Sequence, residues 1–227
     1  MVMVREKLRA DAHRDRFGRL LVVLVASFLL SGAVGGTGYR ILTSVFNLLA
    51  IVIAATTTGF PDRVPVRPAV AVLAAFAIAA TVLGPLEGDT SHGYGAVCSA
   101  IVVAGLLAAV LARVLGHHDV EMQTIAGALC AYLLIGTLFS NIFAAMDLLG
   151  PSNIFNHSMA YPDYAYFSFT TLTTTGYGDY TIVTNFGRRV AMLEAVVGPV
   201  FLATTVSRLV ASARRRDRGE STPVEGA

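Results

Sequence analysis

The sequence contains no tryptophan, two cysteines and few charges. Without tryptophan, aromatic support for any buried feature falls to tyrosine and phenylalanine. Cys98 and Cys130 sit in apolar runs without metal-ligand spacing, so they read as packing residues and supply no disulfide framework. Charged residues are 14% of the chain and hydrophobic residues 55%, a balance that excludes a water-soluble domain and places the chain among membrane proteins. The groups an enzyme needs are missing too. No paired carboxylates or activated nucleophile emerge, and Gly35-Gly36-Thr37-Gly38 joins two apolar runs without the strand-turn-helix setting of a phosphate loop. No cofactor is expected.

What the chain has instead is apolar length. Crossing a bilayer takes about twenty apolar residues. Candidate stretches run from Leu20 to Val34, Ile41 to Thr58, Pro68 to Leu83, Tyr94 to Leu115, Met122 to Leu148 and Val190 to Ala211. They predict an all-α membrane protein with six transmembrane helices, the first cut short by Gly32, Gly35, Gly36 and Gly38. Of the 17 basic residues, all but Arg40, Arg188 and Arg189 fall on one side of this arrangement. That asymmetry puts both termini in the cytoplasm and requires an even number of spans. Acidic residues are mixed into both basic ends, which points to anionic lipid head groups rather than nucleic acid as their partner. Residues 1–19 read either as an amphipathic helix on the inner surface or as a solvated tail. The polar stretch from Arg214 onward reads as disordered.

Between the last two spans lies Thr173-Thr174-Thr175-Gly176-Tyr177-Gly178-Asp179. Glycines on both sides of a tyrosine let the backbone turn its carbonyls to one side, because a residue without Cβ enters the left-handed region that L-residues avoid. Such a row of oxygens can replace the water around a dehydrated cation. Upstream, Pro162 to Thr173 is too short to cross a bilayer, and its proline and aspartate suit a helix start. It reads as a re-entrant helix. The order of long helix, short helix, glycine-rich loop and long helix resembles the pore module of tetrameric potassium channels. Their Thr-Val-Gly-Tyr-Gly loops present rings of backbone oxygens to K⁺. The match departs at Thr175, where valine is usual.

The resemblance implies a homotetramer in the cell membrane, with K⁺ as the permeant ion. The ion sites would be the Thr174 carbonyl and hydroxyl and the carbonyls of Thr175, Gly176, Tyr177 and Gly178. The chain then divides into a basic segment (1–19), a four-helix sensor-like unit (20–116), a pore domain (117–212) and a tail (213–227). Tyr166 and Phe167 stand where the family carries an aromatic pair, often two tryptophans, that braces the filter. Thr170 replaces a glutamate or an aliphatic residue. Tyr166 is expected to donate to Asp179, with Thr170 joining them. In the last span Pro199 removes a backbone donor and clashes with the Ala195 carbonyl, so a kink is expected at Gly198-Pro199. The family bends its inner helix at such a glycine to gate the pore. Here the proline is expected to fix one bend, so that Gly198→Ala alters little. Glu194, one turn earlier, is an intramembrane acid and the third gating candidate, facing either the cavity or a partner behind the pore helix.

Six-span potassium channels often carry a voltage sensor in their first four helices, and a sensor helix needs several spaced arginines. Tyr94 to Leu115 holds only Arg113. The short Gly116 to Glu121 linker predicts that each four-helix unit packs on its own subunit's pore. His117-His118 in that linker read as a solvated pair or a proton or metal sensor, and Asn156-His157-Ser158 matches a glycosylation acceptor in an outer loop. The functional expectation is passive, K⁺-selective conduction. A K⁺ transporter subunit is disfavoured because those proteins repeat a degraded filter, and a non-conducting or partner-gated scaffold or accessory subunit is the remaining alternative. With one arginine in the fourth span, conductance of the reconstituted protein is expected to change little with voltage; a steep rise in a voltage-clamp recording would contradict this.

Overall fold

The computed structural model describes residues 16–33, 75, 89–116 and 122–220. They form five helices: α1 (Arg16–Ala33), α2 (Asp89–Gly116), α3 (Met122–Leu149), α4 (Tyr161–Leu172) and α5 (Asn185–Glu220). Among the described residues three segments are long and apolar enough to cross a membrane: Thr90–Val114 in α2, Ile125–Leu149 in α3 and Asn185–Ala211 in α5. This is three rather than six. The expected spans at 41–58 and 68–83 lie outside the described residues apart from Ala75. The 18 residues of α1 reach about 27 Å at 1.5 Å per residue, at the short limit for a hydrocarbon core of about 30 Å. The His117-His118 pair and residues 1–15 also lie outside the described residues. The expected disorder from Arg214 is corrected, since α5 continues to Glu220. Arginine is a good helix former, and the sequence has no proline between Arg214 and Glu220.

The other helices gather around α3. Along its first half, Cys130, Ala131 and Leu134 are buried against Val102, Val103, Leu106 and Val110 of α2, with Leu20 of α1 in the same cluster. Along its second half α3 carries α4. There Phe167 meets Phe143 at 5.1 Å and Phe155 at 4.9 Å, both edge to face, in the arrangement that aromatic quadrupoles favour. Asp147, near the end of α3, accepts hydrogen bonds from the Tyr164 hydroxyl and the Ile154 N–H, both at 2.7 Å. A turn of loop and the start of α4 are thereby fixed to α3. The start itself is capped locally, with Pro162 in the first turn and the Asp163 carboxylate accepting from the Ala160 N–H at 2.8 Å.

Two glycines let the long helices close on α4. A Cβ on Gly136 of α3 would stand 2.7 Å from the Phe169 ring, and one on Gly198 of α5 would fall on the Leu172 carbonyl oxygen. Tyr132 of α3 donates to that same oxygen at 3.3 Å. The expectation that Gly198→Ala alters little is therefore corrected: Gly198 is a contact between α5 and the end of α4, and helix α5 runs on through Pro199. Replacing glycine by alanine in a helix gains about 1 kcal/mol of propensity, whereas overpacking against backbone costs about 1–3 kcal/mol. The second effect is expected to win because a carbonyl in a packed helix cannot step aside. Gly198→Ala is predicted to lower the thermal unfolding midpoint in detergent; an unchanged or raised midpoint would show that α5 moves away freely.

Candidate functional site

The loop after α4 is tied to the helix it leaves. The N–H of Thr173 donates to Phe169 O at 3.0 Å and that of Thr174 to Thr171 O at 3.0 Å. The N–H groups of Thr175 and Gly176 both donate to Thr170 O, at 2.8 and 3.1 Å. Four successive donors thus point back at the carbonyls that a helix C-terminus leaves without partners. The carbonyls of Thr174 through Gly178 accept none of the hydrogen bonds found among the described residues.

Backbone torsions explain how those carbonyls are arranged. Thr174, Gly176 and Gly178 have φ of +59°, +54° and +78°, while Thr175 and Tyr177 between them keep negative φ. In an extended strand successive carbonyls alternate sides. Left-handed residues at every second position break that alternation. Glycine adopts this region freely. A β-branched residue does not, and Thr174 carries strain of about 1–3 kcal/mol, the kind held at functional sites by surrounding contacts. Thr175, the departure from valine, has its hydroxyl 2.9 Å from that of Thr173, which also donates to Phe169 O at 2.7 Å. The loop lies at the negative end of the α4 dipole, which favours a cation there.

Toward Asp179, aromatic rings stand beside the loop. Tyr166 stacks on Tyr177 with ring centroids 6.1 Å apart and planes at 4°, and meets Tyr180 at 74°. Its hydroxyl donates to Asp179 Oδ2 at 2.8 Å. That bond holds the Asp179 carboxyl below its ordinary range and pushes the Tyr166 phenol up to about 12. Two expectations are corrected. Thr170 does not join this pair, because its hydroxyl donates back to Phe167 O at 3.0 Å within α4. Phe167 does not stand beside Tyr166 against the loop; it lies one residue, about 100°, further round the helix and packs toward α3.

Glu194 is fully buried, with its Oε1 2.5 Å from Ser168 Oγ. It faces a partner behind α4. Ser168 is a residue that sequence reasoning passed over; a serine in mid-helix facing the only acid of the last span was the available signal. Asn156, the asparagine of the glycosylation pattern, accepts from the Thr181 N–H at 2.9 Å and so joins the loop before α4 to the loop after Asp179. Phe155 and Ile182 pair beside it as an isolated antiparallel bridge.

The Tyr166–Asp179 bond defines a pH window. A carboxyl lowered from its ordinary 3.8 contributes above that value and loses the contribution as pH falls through the lowered one. The phenol, raised from 10, loses its own only as pH rises through about 12. Ion flux of the reconstituted protein is predicted to be insensitive to this pair between pH 5 and pH 8, on the order of the usual stability plateau, and to fall only in stronger acid. Tyr166→Phe keeps the ring stack and removes the bond. It is predicted to shift that acid limb upward and to change open-state duration; identical pH profiles and dwell times in single-channel recordings would show that the bond has no bearing on the loop.

Residues 127–215, from the second turn of α3 through α4, the carbonyl loop and most of α5, match a family model described as ion channel. With three helices among the described residues long and apolar enough to cross a membrane, this chain is a membrane-spanning protein that over residues 127–215 is similar to ion channels.

Proposed function

We propose that the chain is a subunit of a K⁺-selective channel in which four copies surround one axis and the carbonyls of Thr174, Thr175, Gly176, Tyr177 and Gly178 take the place of the ion's hydration shell. The observation that carries this reading is the alternation of positive φ at Thr174, Gly176 and Gly178 in a loop whose Thr173, Thr174, Thr175 and Gly176 N–H groups are tied to α4. A row of carbonyls so held has a use where a cation passes. One loop surrounds nothing by itself, so a ring needs further copies. Two features support this: Tyr177 is 70% exposed in the single chain, and α5 has 11% of its spanning window buried against 56% for α3. Leu193, Val196 and Val200 on α5 are exposed, and α5 helices of neighbouring copies would cover them.

In this reading the full subunit has six spans with both termini in the cytoplasm of a cell-membrane protein, and the filter opens outward. Its basic ends lie against anionic lipid, and voltage does not gate it. The ion channel domain is a conduction device rather than an enzyme, and K⁺ is its cargo. The experiment is flux in liposomes holding only the purified protein, with K⁺ or Na⁺ as the driven ion. Selective K⁺ flux that loses its selectivity when Tyr177 is replaced is the expected result. Absence of flux from a preparation shown to be tetrameric, or equal flux of both ions, would overturn K⁺-selective conduction.

A further inference from the structure

The pocket behind α4 contains more oxygen atoms than protons to join them. Ser168 Oγ, fully buried, lies 2.8 Å from the Gly136 carbonyl oxygen of α3 and 2.5 Å from Glu194 Oε1 of α5. A serine hydroxyl has one proton to donate, and a carbonyl oxygen can only accept. If Ser168 donates to Gly136, its contact with Glu194 needs a proton from the glutamic acid. If instead Ser168 donates to an ionised Glu194, its oxygen is left facing the Gly136 carbonyl at 2.8 Å with no proton between them.

The surroundings choose between these arrangements. Glu194 is fully buried, its Oε2 has no hydrogen-bond partner, and among the described residues no cation pairs with it. Tyr132, the other titratable group near it, directs its hydroxyl proton to Leu172 O. A buried carboxylate with one oxygen unpaired and no counter-ion is the costliest form a glutamate can take, while the neutral acid avoids that cost and satisfies both Ser168 contacts. The proton chain then runs from Glu194 Oε1 to Ser168 Oγ to the Gly136 carbonyl and joins α5, α4 and α3 in one line.

We propose that Glu194 is a filter-positioning residue that acts as a neutral carboxylic acid, donating its proton to Ser168 and so fixing the inner helix to the helix that carries the filter. The positioning part rests on the channel reading above; the protonation part does not. Ser168 lies two residues before Thr170, whose carbonyl holds the N–H groups of Thr175 and Gly176. A displacement of α5 at Glu194 is thereby passed to the loop through less than one turn of α4. Gly198, one turn further along α5, bears on Leu172 and supplies a second contact between the same two helices.

Infrared difference spectroscopy between the wild-type protein and Glu194→Gln at neutral pH tests the proton. A carboxylic-acid C=O band present in wild type and absent from the variant is expected. In Ser168→Ala that band is expected to move, because its proton has lost its acceptor. Carboxylate bands alone, or an acid band that Ser168→Ala leaves in place, would overturn the neutral donor. Where Glu194→Gln fails to fold, the Ser168→Ala comparison carries the same test. Liposome flux tests the positioning. Glu194→Gln, whose amide also donates, is expected to keep the wild-type K⁺-to-Na⁺ ratio, while Ser168→Ala and Glu194→Leu lower it by about fivefold, the factor set by one lost hydrogen bond. Selective wild-type flux with unchanged ratios in both variants would overturn the positioning role and leave the channel reading intact. Wild-type protein without selective flux would overturn the channel reading itself, and the spectra would still decide the proton.

Discussion

A peptide unit has one donor and one acceptor on opposite sides, and the loop after α4 depends on that fact. Thr173, Thr174, Thr175 and Gly176 direct their N–H groups to the terminal carbonyls of α4. Committing the donors to the helix leaves the acceptors turned away from it. The same bonds satisfy carbonyls that a helix end leaves open, so one set of contacts finishes the helix and orients the loop. Positive φ values at Thr174 and Gly176 fall within the stretch so tied, and Gly178 repeats them at the next alternate position.

A loop anchored this way is only as well placed as α4, and three different interactions place α4. Gly136 leaves room on α3 for the Phe169 ring, and Gly198 lets α5 approach the Leu172 carbonyl, where a Cβ would hold them off. The edge-to-face cluster of Phe143, Phe155 and Phe167 fills the space toward α3 without tryptophan. Asp147, Asp163 and Ser168 tie the helix by hydrogen bonds at its start and middle. Apolar packing sets the distance between helices, and the directional bonds set rotation and register. At its far side the loop leans on the Tyr166–Tyr177 stack and the Tyr166–Asp179 bond, so the same aromatic helix supports it from within and from outside.

Local patterns made much of this legible in the sequence. The boundaries of α3 and α4 follow from hydropathy and from Pro162 and Asp163, and the Gly-Tyr-Gly run announces left-handed backbone because no other residue type enters it without strain. Thr174 in the same region was not legible, since β-branching argues against it until the hydrogen bonds to α4 are seen. The roles of Thr170 and Phe167 were misjudged for a related reason. Neighbouring positions on a helix point about 100° apart, so residues adjacent in sequence to Tyr166 do not share its surroundings. The helical continuation of α5 to Glu220 was hidden by a polar composition that suits a solvated helix as well as a tail.

Composition and spacing alone therefore determined the class of protein, the short helix and the carbonyl loop, because each depends on interactions between residues close in the chain. Tertiary structure decided what Gly198 and Glu194 do. In the sequence Gly198 reads as part of a bend fixed by Pro199, and Glu194 as an acid facing either the cavity or a partner behind the short helix. Their partners, the Leu172 carbonyl and Ser168, lie more than twenty residues away, and only the packing of α5 across α4 brings them within reach.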